Sequence, residues 1–326
     1  MRAVRIYERG GPDVLVMDDV PRPTPGPGQV SIEVRVAGVN YADIGQRQGV
    51  YPNLRDLPAT LGDEAAGFVA EVGPGVSGLE TGQRVVAVVD GGYAEYALAS
   101  AENVLPLPDD LGFAEAAAIP IQGITADLLL RNAARLHVGE SVLVHVAAGG
   151  VGSLAVQLAR LGGASLIIGS TRTAAKAETI RALGVDIVVN SADQDWPQQV
   201  RAATQGRGVD IVLDPIGGET SQGGLASLAP FGRLVIYGGL GEKPTPFVAQ
   251  QLIRDCLAVS GYNTQAQPVD ERVASGHRLA RAIARGDLRV LQGLSYPLAE
   301  AASAHRALAA GESTGKIVLT TGLAGA

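Results

Sequence analysis

The chain has 326 residues, 46% of them apolar, and a formal net charge of −7. That length supports a sizeable core and two domains, and the apolar share excludes gross disorder. With no block of five like charges and a single cysteine, Cys256, a nucleic-acid tail, a polybasic membrane patch, an internal disulfide and a four-thiolate zinc site are disfavoured or excluded.

The start, MRAVRIYERGG, alternates charged and apolar groups and reads as a strand rather than a signal peptide. PRPTPGPGQ (21–29) is a Pro/Gly loop. VSIEVRVAGV, GFVAEVGPGV and QRVVAVVDGGYAEYALAS then show period-two patterning with frequent turns, the mark of an all-β domain. From about Gly139 the rhythm changes. Apolar runs at 141–147, 165–170, 186–190, 209–214, 232–238 and 257–262 alternate with helical patterns at 151–161, 174–183, 197–204, 219–228 and 246–255. Near-continuous apolar strands alternating with helices predict an α/β fold with a doubly wound, six-stranded parallel Rossmann sheet. A helix follows at about 269–285, and the final strand KIVLT has no βα partner, so it is expected to return to the first domain. The predicted division is 1–122, completed by 267–326, for the all-β domain, and 123–266 for the Rossmann domain. The most apolar run, Val142 to Ala159, is broken by His145, Gly149, Gly150, Gly152, Ser153 and Gln157, which fits a strand and helix rather than a membrane span. A cytoplasmic protein with no membrane or nucleic-acid partner is expected.

The first βα turn, Ala147-Ala148-Gly149-Gly150-Val151-Gly152, is a G-x-G-x-x-G pattern with Ala in its first place. Set between a predicted strand and helix, Gly149, Gly150, Val151 and Gly152 would let backbone N–H groups approach a pyrophosphate. The next strand ends in Ser170 and Thr171, with Arg172 and Lys176 beyond and no acidic residue for a ribose hydroxyl. Neutral donors followed by two cations suit a 2′-phosphate, hence NADPH. Arg172 and Lys176 also read as a solvated helix start.

LGDEAAG (61–67) places two carboxylates, Asp63 and Glu64, in a small apolar stretch. Adjacent strand residues point to opposite faces, so the pair cannot easily share one substrate atom. Glu64 is expected as a buried structural acceptor and Asp63 at a cleft, tuning its polarity.

GVNYAD, GDEAAG, VGPGV and GQRVV followed by AAGGVG resemble, in this order, the medium-chain dehydrogenase/reductase superfamily. RQGVYP, LGDEAAGFVAEVGPGV, HVAAGGVGSLAVQLAR and STGKIVL are most similar to its zinc-independent NADPH:quinone oxidoreductase, or zeta-crystallin-like, branch. The resemblance implies a GroES-like catalytic domain and metal-free hydride transfer from NADPH to a quinone or similar activated carbonyl. In zinc alcohol dehydrogenases of the superfamily, Cys, His and Cys hold the metal. The matching slots here carry Asn40, Asp63 and Gln122, a donor set unsuited to zinc.

Reduction of a carbonyl needs a hydrogen-bond donor for the developing oxyanion. Asn40, Tyr41, Gln46, Arg47 and Tyr51 are candidates, with Tyr51 and Asn40 preferred. The resemblance places Tyr51 at the cleft and Asn40 in a former ligand slot. Surface packing of Tyr51 and turn chemistry at Asn40 are the plain alternatives. The resemblance further implies cofactor contacts from Asn40, Thr125, Gly238, Gly239, Tyr262, Asn263 and Lys316. Ser191 departs from a tyrosine carried by some relatives. His145 is expected as a satisfied core group, Trp196 as packing and Cys256 as a small buried hydrophobe. An enoyl or 2-alkenal reductase, acting on an α,β-unsaturated carbonyl, is the alternative activity, and a non-catalytic NADPH-binding protein a third. The sixth strand would leave an apolar sheet edge, so a homodimer is expected.

Overall fold

The computed structural model describes residues 1–241 and 243–323. The chain forms two compact units, one of residues 1–124 with 268–326 and the other of residues 125–267.

The first unit begins with β1 (Arg2–Ile6), β2 (Val16–Asp19) and β3 (Gln29–Val39), then α1 (Tyr41–Gln48), β4 (Ala59–Thr60), β5 (Glu64–Val72), β6 (Arg84–Val88), β7 (Tyr96–Ser100) and β8 (Val104–Pro106). A helical stretch with short helices α2 (Phe113–Ala116) and α3 (Ile124–Leu128) and two wide π turns, Ile119–Gly123 and Leu129–Ala133, carries the chain from the first unit into the second. By length and composition Phe113–Ala133 could cross a membrane, yet 72% of its apolar window is buried in the fold.

The second unit carries β9 (Ser141–Val144), α4 (Gly150–Leu161), β10 (Leu166–Thr171), α5 (Ala177–Arg181), β11 (Ile187–Asn190), α6 (Trp196–Ala203), β12 (Val209–Asp214), α7 (Gly218–Ser227), β13 (Leu228–Ile236), α8 (Ala249–Asp255) and β14 (Ala258–Gly261). The chain then returns to the first unit with α9 (Val269–Ala284), β15 (Gln292–Pro297), α10 (Ala301–Ala309) and β16 (Lys316–Thr320).

In the second unit six strands pair in the order β11-β10-β9-β12-β13-β14, every pair parallel. Numbered within the unit this is 3-2-1-4-5-6, the doubly wound order whose ligand crevice opens at the carboxyl ends of its first and fourth strands. Those two strands are buried over almost their whole length, as a sheet covered on both faces requires. The first strand stops three residues earlier than predicted, at Val144, because Val146 takes φ 54° and turns the chain.

In the first unit β16 lies antiparallel to β3, with Ile317 opposite Val39, in a sheet ordered β15-β16-β3-β5-β6-β8 with β7 also on β3. β5 runs antiparallel to both β3 and β6. The N-terminus of β5, the C-terminus of β3 and the start of β16 therefore meet at one end of the sheet. Alternating inward residues, among them Ile32, Val34, Val39, Ala65, Val85 and Ile317, form its core.

Candidate functional site

In the second unit the β9–α4 turn is built from backbone. Gly149, in extended conformation (φ −79°, ψ 175°), precedes the helix and offers no side-chain cap. The N–H groups of Gly150, Val151 and Gly152 open the helix, where no helical carbonyl can accept them. The positive end of the helix dipole lies there too, so the turn is suited to an anion. Gly152 is required for close packing: a Cβ there would stand 2.2 Å from Val146 O and 2.9 Å from Ala147 Cα.

The next loop is fastened by a side chain. Asp214, fully buried at the end of β12, accepts from Ile216 N (2.7 Å), Gly217 N (3.2 Å) and Ser221 Oγ (2.5 Å). It fixes the loop against which Gly238 packs, since a Cβ on Gly238 would lie 2.5 Å from Pro215 O. Sequence reasoning missed Asp214; an acid ending an apolar strand just before Gly217-Gly218 was the available signal. Beyond β13 and β14 an open cavity of ≈590 Å³ is lined by Tyr237, Gly238, Tyr262, Asn263, Ala266 and Gln267. Gly239, exposed, follows Gly238. Asn263 caps the short helical turn after it through Gln265 N (3.0 Å), and Thr125 and Thr264 share a hydroxyl hydrogen bond (2.8 Å).

At the end of β10 one expectation needs correction. Ser170 is fully buried and its Oγ is bonded to His145 Nδ1 (2.8 Å), so it does not face a ligand. Thr171 is buried as well and engages Thr173. Arg172 is exposed and Lys176 half-buried, its ammonium pKa held below the ordinary value by burial. His145 is core, with its ring edge-on to Trp196 (4.9 Å between centroids), but only half satisfied: Nε2 is buried with no partner among the described residues. Burial pushes its pKa down to about 4, so it is neutral. Cys256 is exposed rather than buried, because it ends α8 in the left-handed conformation (φ 54°).

In the first unit the carboxylates of the LGDEAAG stretch separate. Glu64 is fully buried; its Oε1 accepts from Asn40 Nδ2 (2.6 Å) and from the Lys316 ammonium, and its Oε2 from Ile121 N (3.0 Å). Ile121 N is freed for this bond by the π turn, in which Gly123 N reaches back to Ala118 O (2.8 Å). Asn40 Oδ1 accepts from Lys316 Nζ (3.1 Å) and Gln122 Nε2 (3.0 Å). Gly38 leaves the room, since a Cβ there would fall 2.2 Å from Glu64 Oε1 and 2.6 Å from Lys316 Nζ. Asp63 instead pairs with Arg55 (2.7 Å), which also holds Asp90 (2.5 Å).

Lys316 was expected to reach toward a cofactor. It is 1% exposed, and its charge is taken up inside the first unit by Glu64 and Asn40. Asn40 is likewise built into this cluster, with its carbonyl doubly engaged and one amide N–H on Glu64. Of the other candidate donors, Gln46 pins the following loop through Asn53 O (2.6 Å) and Arg55 N (3.1 Å), and Arg47 is buried. Tyr41 and Tyr51 are exposed. The Tyr51 ring lies against Gly45, and its hydroxyl has no partner among the described residues. Burial, with Asp63 and Asp43 nearby, raises its pKa above the ordinary value, so the phenol keeps its proton.

A second buried chain was invisible to sequence reasoning. Asp43, at the third position of α1, accepts at Oδ2 from Asn40 N (2.7 Å) and Tyr93 OH (3.0 Å), and Tyr93 OH stands 3.0 Å from His305 Nε2. Burial, reinforced by Asp63, pushes Asp43 up to about 8; burial, reinforced by Arg47, pushes His305 down to about 3.

Residues 26–109 match the alcohol dehydrogenase GroES-like domain family and 150–275 the zinc-binding dehydrogenase family. The chain is 36% identical to the 2-haloacrylate reductase of a Burkholderia species over 330 residues, covering 97% of this chain and 98% of that protein. It belongs to the medium-chain dehydrogenase/reductase superfamily. Among solved members, a mycobacterial protein in complex with NADPH superposes with a TM-score of 0.92 at 36% identity, covering 98% of this chain and all of that one. Escherichia coli quinone oxidoreductase in complex with NADPH gives 0.93 at 31% identity, over 98% and 100%.

The superfamily's metal does not fit this chain. Asn40 and Gln122 are bonded to each other, Asp63 is paired with Arg55 away from them, and the Lys316 ammonium stands on Asn40 and Glu64. Among the described residues no three His, Cys, Asp or Glu side chains converge as ligands. The superfamily's dinucleotide does fit: the Gly150–Gly152 N–H groups have no helical carbonyl to bind and are open to phosphate, and the absence of a Cβ at Gly152 lets helix and strand close behind them.

Proposed function

We propose that the protein is an NADPH-dependent, metal-free reductase of quinones and related activated carbonyl compounds. The reading is carried by the β9–α4 turn, with its free N–H groups and close-packed Gly152, in a chain that over 98% of its length resembles two proteins solved with NADPH, one of them a quinone oxidoreductase. Gly149, Gly150, Val151 and Gly152 would hold the pyrophosphate, and Arg172 and Lys176 the 2′-phosphate. Gly238, Gly239, Tyr262 and Asn263 would border the rest of the cofactor, and Thr125 its nicotinamide end. Bound NADPH supplies the hydride. The protein then needs to orient the acceptor and steady the oxygen on which negative charge grows. Tyr51, protonated and exposed, is the donor for that oxygen; Asn40 shapes the site through its buried contacts.

The 2-haloacrylate reductase relative favours a second reading, reduction of an activated carbon–carbon double bond. There the intermediate enolate needs a proton, and Tyr51 would deliver it. Tyr51→Phe separates the two readings. Quinone turnover, whose product takes its protons from water, is expected to fall by less than about fivefold, and alkenal or enoyl turnover by about a hundredfold or more, the usual weight of a general acid. Equal small losses on every substrate would remove Tyr51 from the chemistry.

We also propose a cytoplasmic homodimer. Among the described residues β14 pairs only with β13, its Ala258, Ser260 and Gly261 are exposed, and Phe247, Val248 and Ile253 are exposed nearby. Such an edge calls for cover. Light scattering giving a monomer mass at micromolar concentration would contradict this.

A further inference from the structure

Three side chains on three separate elements of the first unit form one buried file: Asp43 on α1, Tyr93 in the loop before β7, and His305 on α10. Both hydrogen bonds along it measure 3.0 Å. Its ends are open: Asp43 Oδ1 and His305 Nδ1 are buried with no partner among the described residues. Tyr93 has one hydroxyl proton for two neighbours, so the file has two self-consistent arrangements. In one, Asp43 is a carboxylic acid donating to Tyr93 Oη, Tyr93 donates to His305 Nε2, and the imidazole proton sits on Nδ1. In the other, Tyr93 donates to an Asp43 carboxylate and His305 donates from Nε2.

The surrounding charges keep His305 from storing a proton itself. It faces Arg47, itself buried with Nε and Nη1 unpartnered and with Arg306 and Asp13 beyond it. Asp43 faces Tyr93, Lys316 and Asp63, and Tyr51 feels its charge. A neutral imidazole beside a guanidinium can change tautomer but not charge, so the ionisation falls on Asp43.

We propose that Asp43, Tyr93 and His305 are a one-proton relay that positions Asn40 according to pH. In the step, the Asp43 proton passes to Tyr93 Oη, the Tyr93 proton passes to His305 Nε2, and the Nδ1 proton, enclosed in the closed fold, is given up to water when α10 opens locally beside its exposed Arg306; one proton leaves and no electron moves. The Asp43 carboxylate left behind is a stronger acceptor for Asn40 N–H at the start of α1. Asn40 in turn touches Glu64, Lys316 and Gln122. The raised Asp43 pKa sets the sign: the acid form dominates at neutral pH and is lost as pH rises through about 8. The new negative charge opposes an oxyanion, so turnover falls in the same range.

The relay is tested without reference to activity by following the ¹⁵N resonances of His305 in the whole protein from pH 6 to 10, assigned with His305→Gln. The expected result is a change from the Nδ1-protonated to the Nε2-protonated neutral tautomer near pH 8, lost in Asp43→Asn and in Tyr93→Phe. A tautomer that stays fixed in the wild type over this range overturns the proposal, even if neither variant folds. The kinetic arm rests on the reductase reading: kcat/KM for a quinone should fall about threefold or more between pH 7 and 9 and be flat over that range in Asp43→Asn. An unchanged fall in Asp43→Asn overturns the relay, whereas absence of any turnover bears on the reductase reading alone.

Discussion

Gly152→Ala is expected to weaken NADPH binding by about a hundredfold, some 2.7 kcal/mol, while the protein still folds. The added Cβ would lie 2.2 Å from Val146 O and 2.9 Å from Ala147 Cα, and both obstacles are backbone. No rotamer can yield, so α4 must withdraw from the end of β9 by the better part of an ångström. The N–H groups of Gly150, Val151 and Gly152 move with it, and hydrogen bonds to phosphate weaken steeply with such a displacement. Gly149→Ala is milder: its Cβ meets a Val146 methyl at 3.0 Å and Val146 O at 3.2 Å, contacts that small shifts relieve. Fluorescence titration with NADPH measures both. Trp196, the one tryptophan, reports whether the second unit remains folded. Wild-type affinity in Gly152→Ala would show that the turn does not carry the phosphates.

Lys316→Met is expected to destabilise the first unit by about 3–5 kcal/mol, the loss seen when one member of a buried ion pair is removed. Glu64, with no solvent exposure, would keep only Asn40 Nδ2 and Ile121 N as donors. Gly38 provides space and no polar group. An unpaired carboxylate there is costly because neither water nor another cation reaches it. Adding Glu64→Gln to Lys316→Met should recover much of the loss, since a neutral amide removes the stranded charge. Urea midpoints of the wild type, the two single variants and the double variant measure this. Additive losses, or a loss below about 1 kcal/mol in Lys316→Met, would show that the pair does not hold the cluster together.

What the sequence disclosed follows from the range of the interactions. The strand–helix rhythm of the second unit is local, and with it came the six-stranded parallel sheet and the turn at Gly149–Gly152. Glu64 as a buried acceptor was also legible, because two carboxylates on a strand must face opposite ways. Its partner was not: Lys316 is 252 residues away. The same holds for Tyr93 and His305, separated by 212. A lone lysine in STGKIVL looks like any surface cation until β16 is laid against β3. Ser170 was misjudged for a related reason. Strand periodicity gives the face on which it lies but not that His145, just past the end of the neighbouring strand, stands in front of it. Cys256 was misplaced because apolar neighbours suggested a core position, whereas the helix ends there and turns the side chain outward.

The most direct test of the whole account is NADPH oxidation by purified, chelator-treated protein against ortho- and para-quinones, 2-alkenals and an enoyl thioester, with NADH in parallel. The account predicts turnover of quinones or of the unsaturated carbonyls that is unchanged by chelation and faster with NADPH than with NADH. Turnover that is lost on chelation and restored by zinc, or a protein that binds NADPH but reduces none of these acceptors, would contradict it.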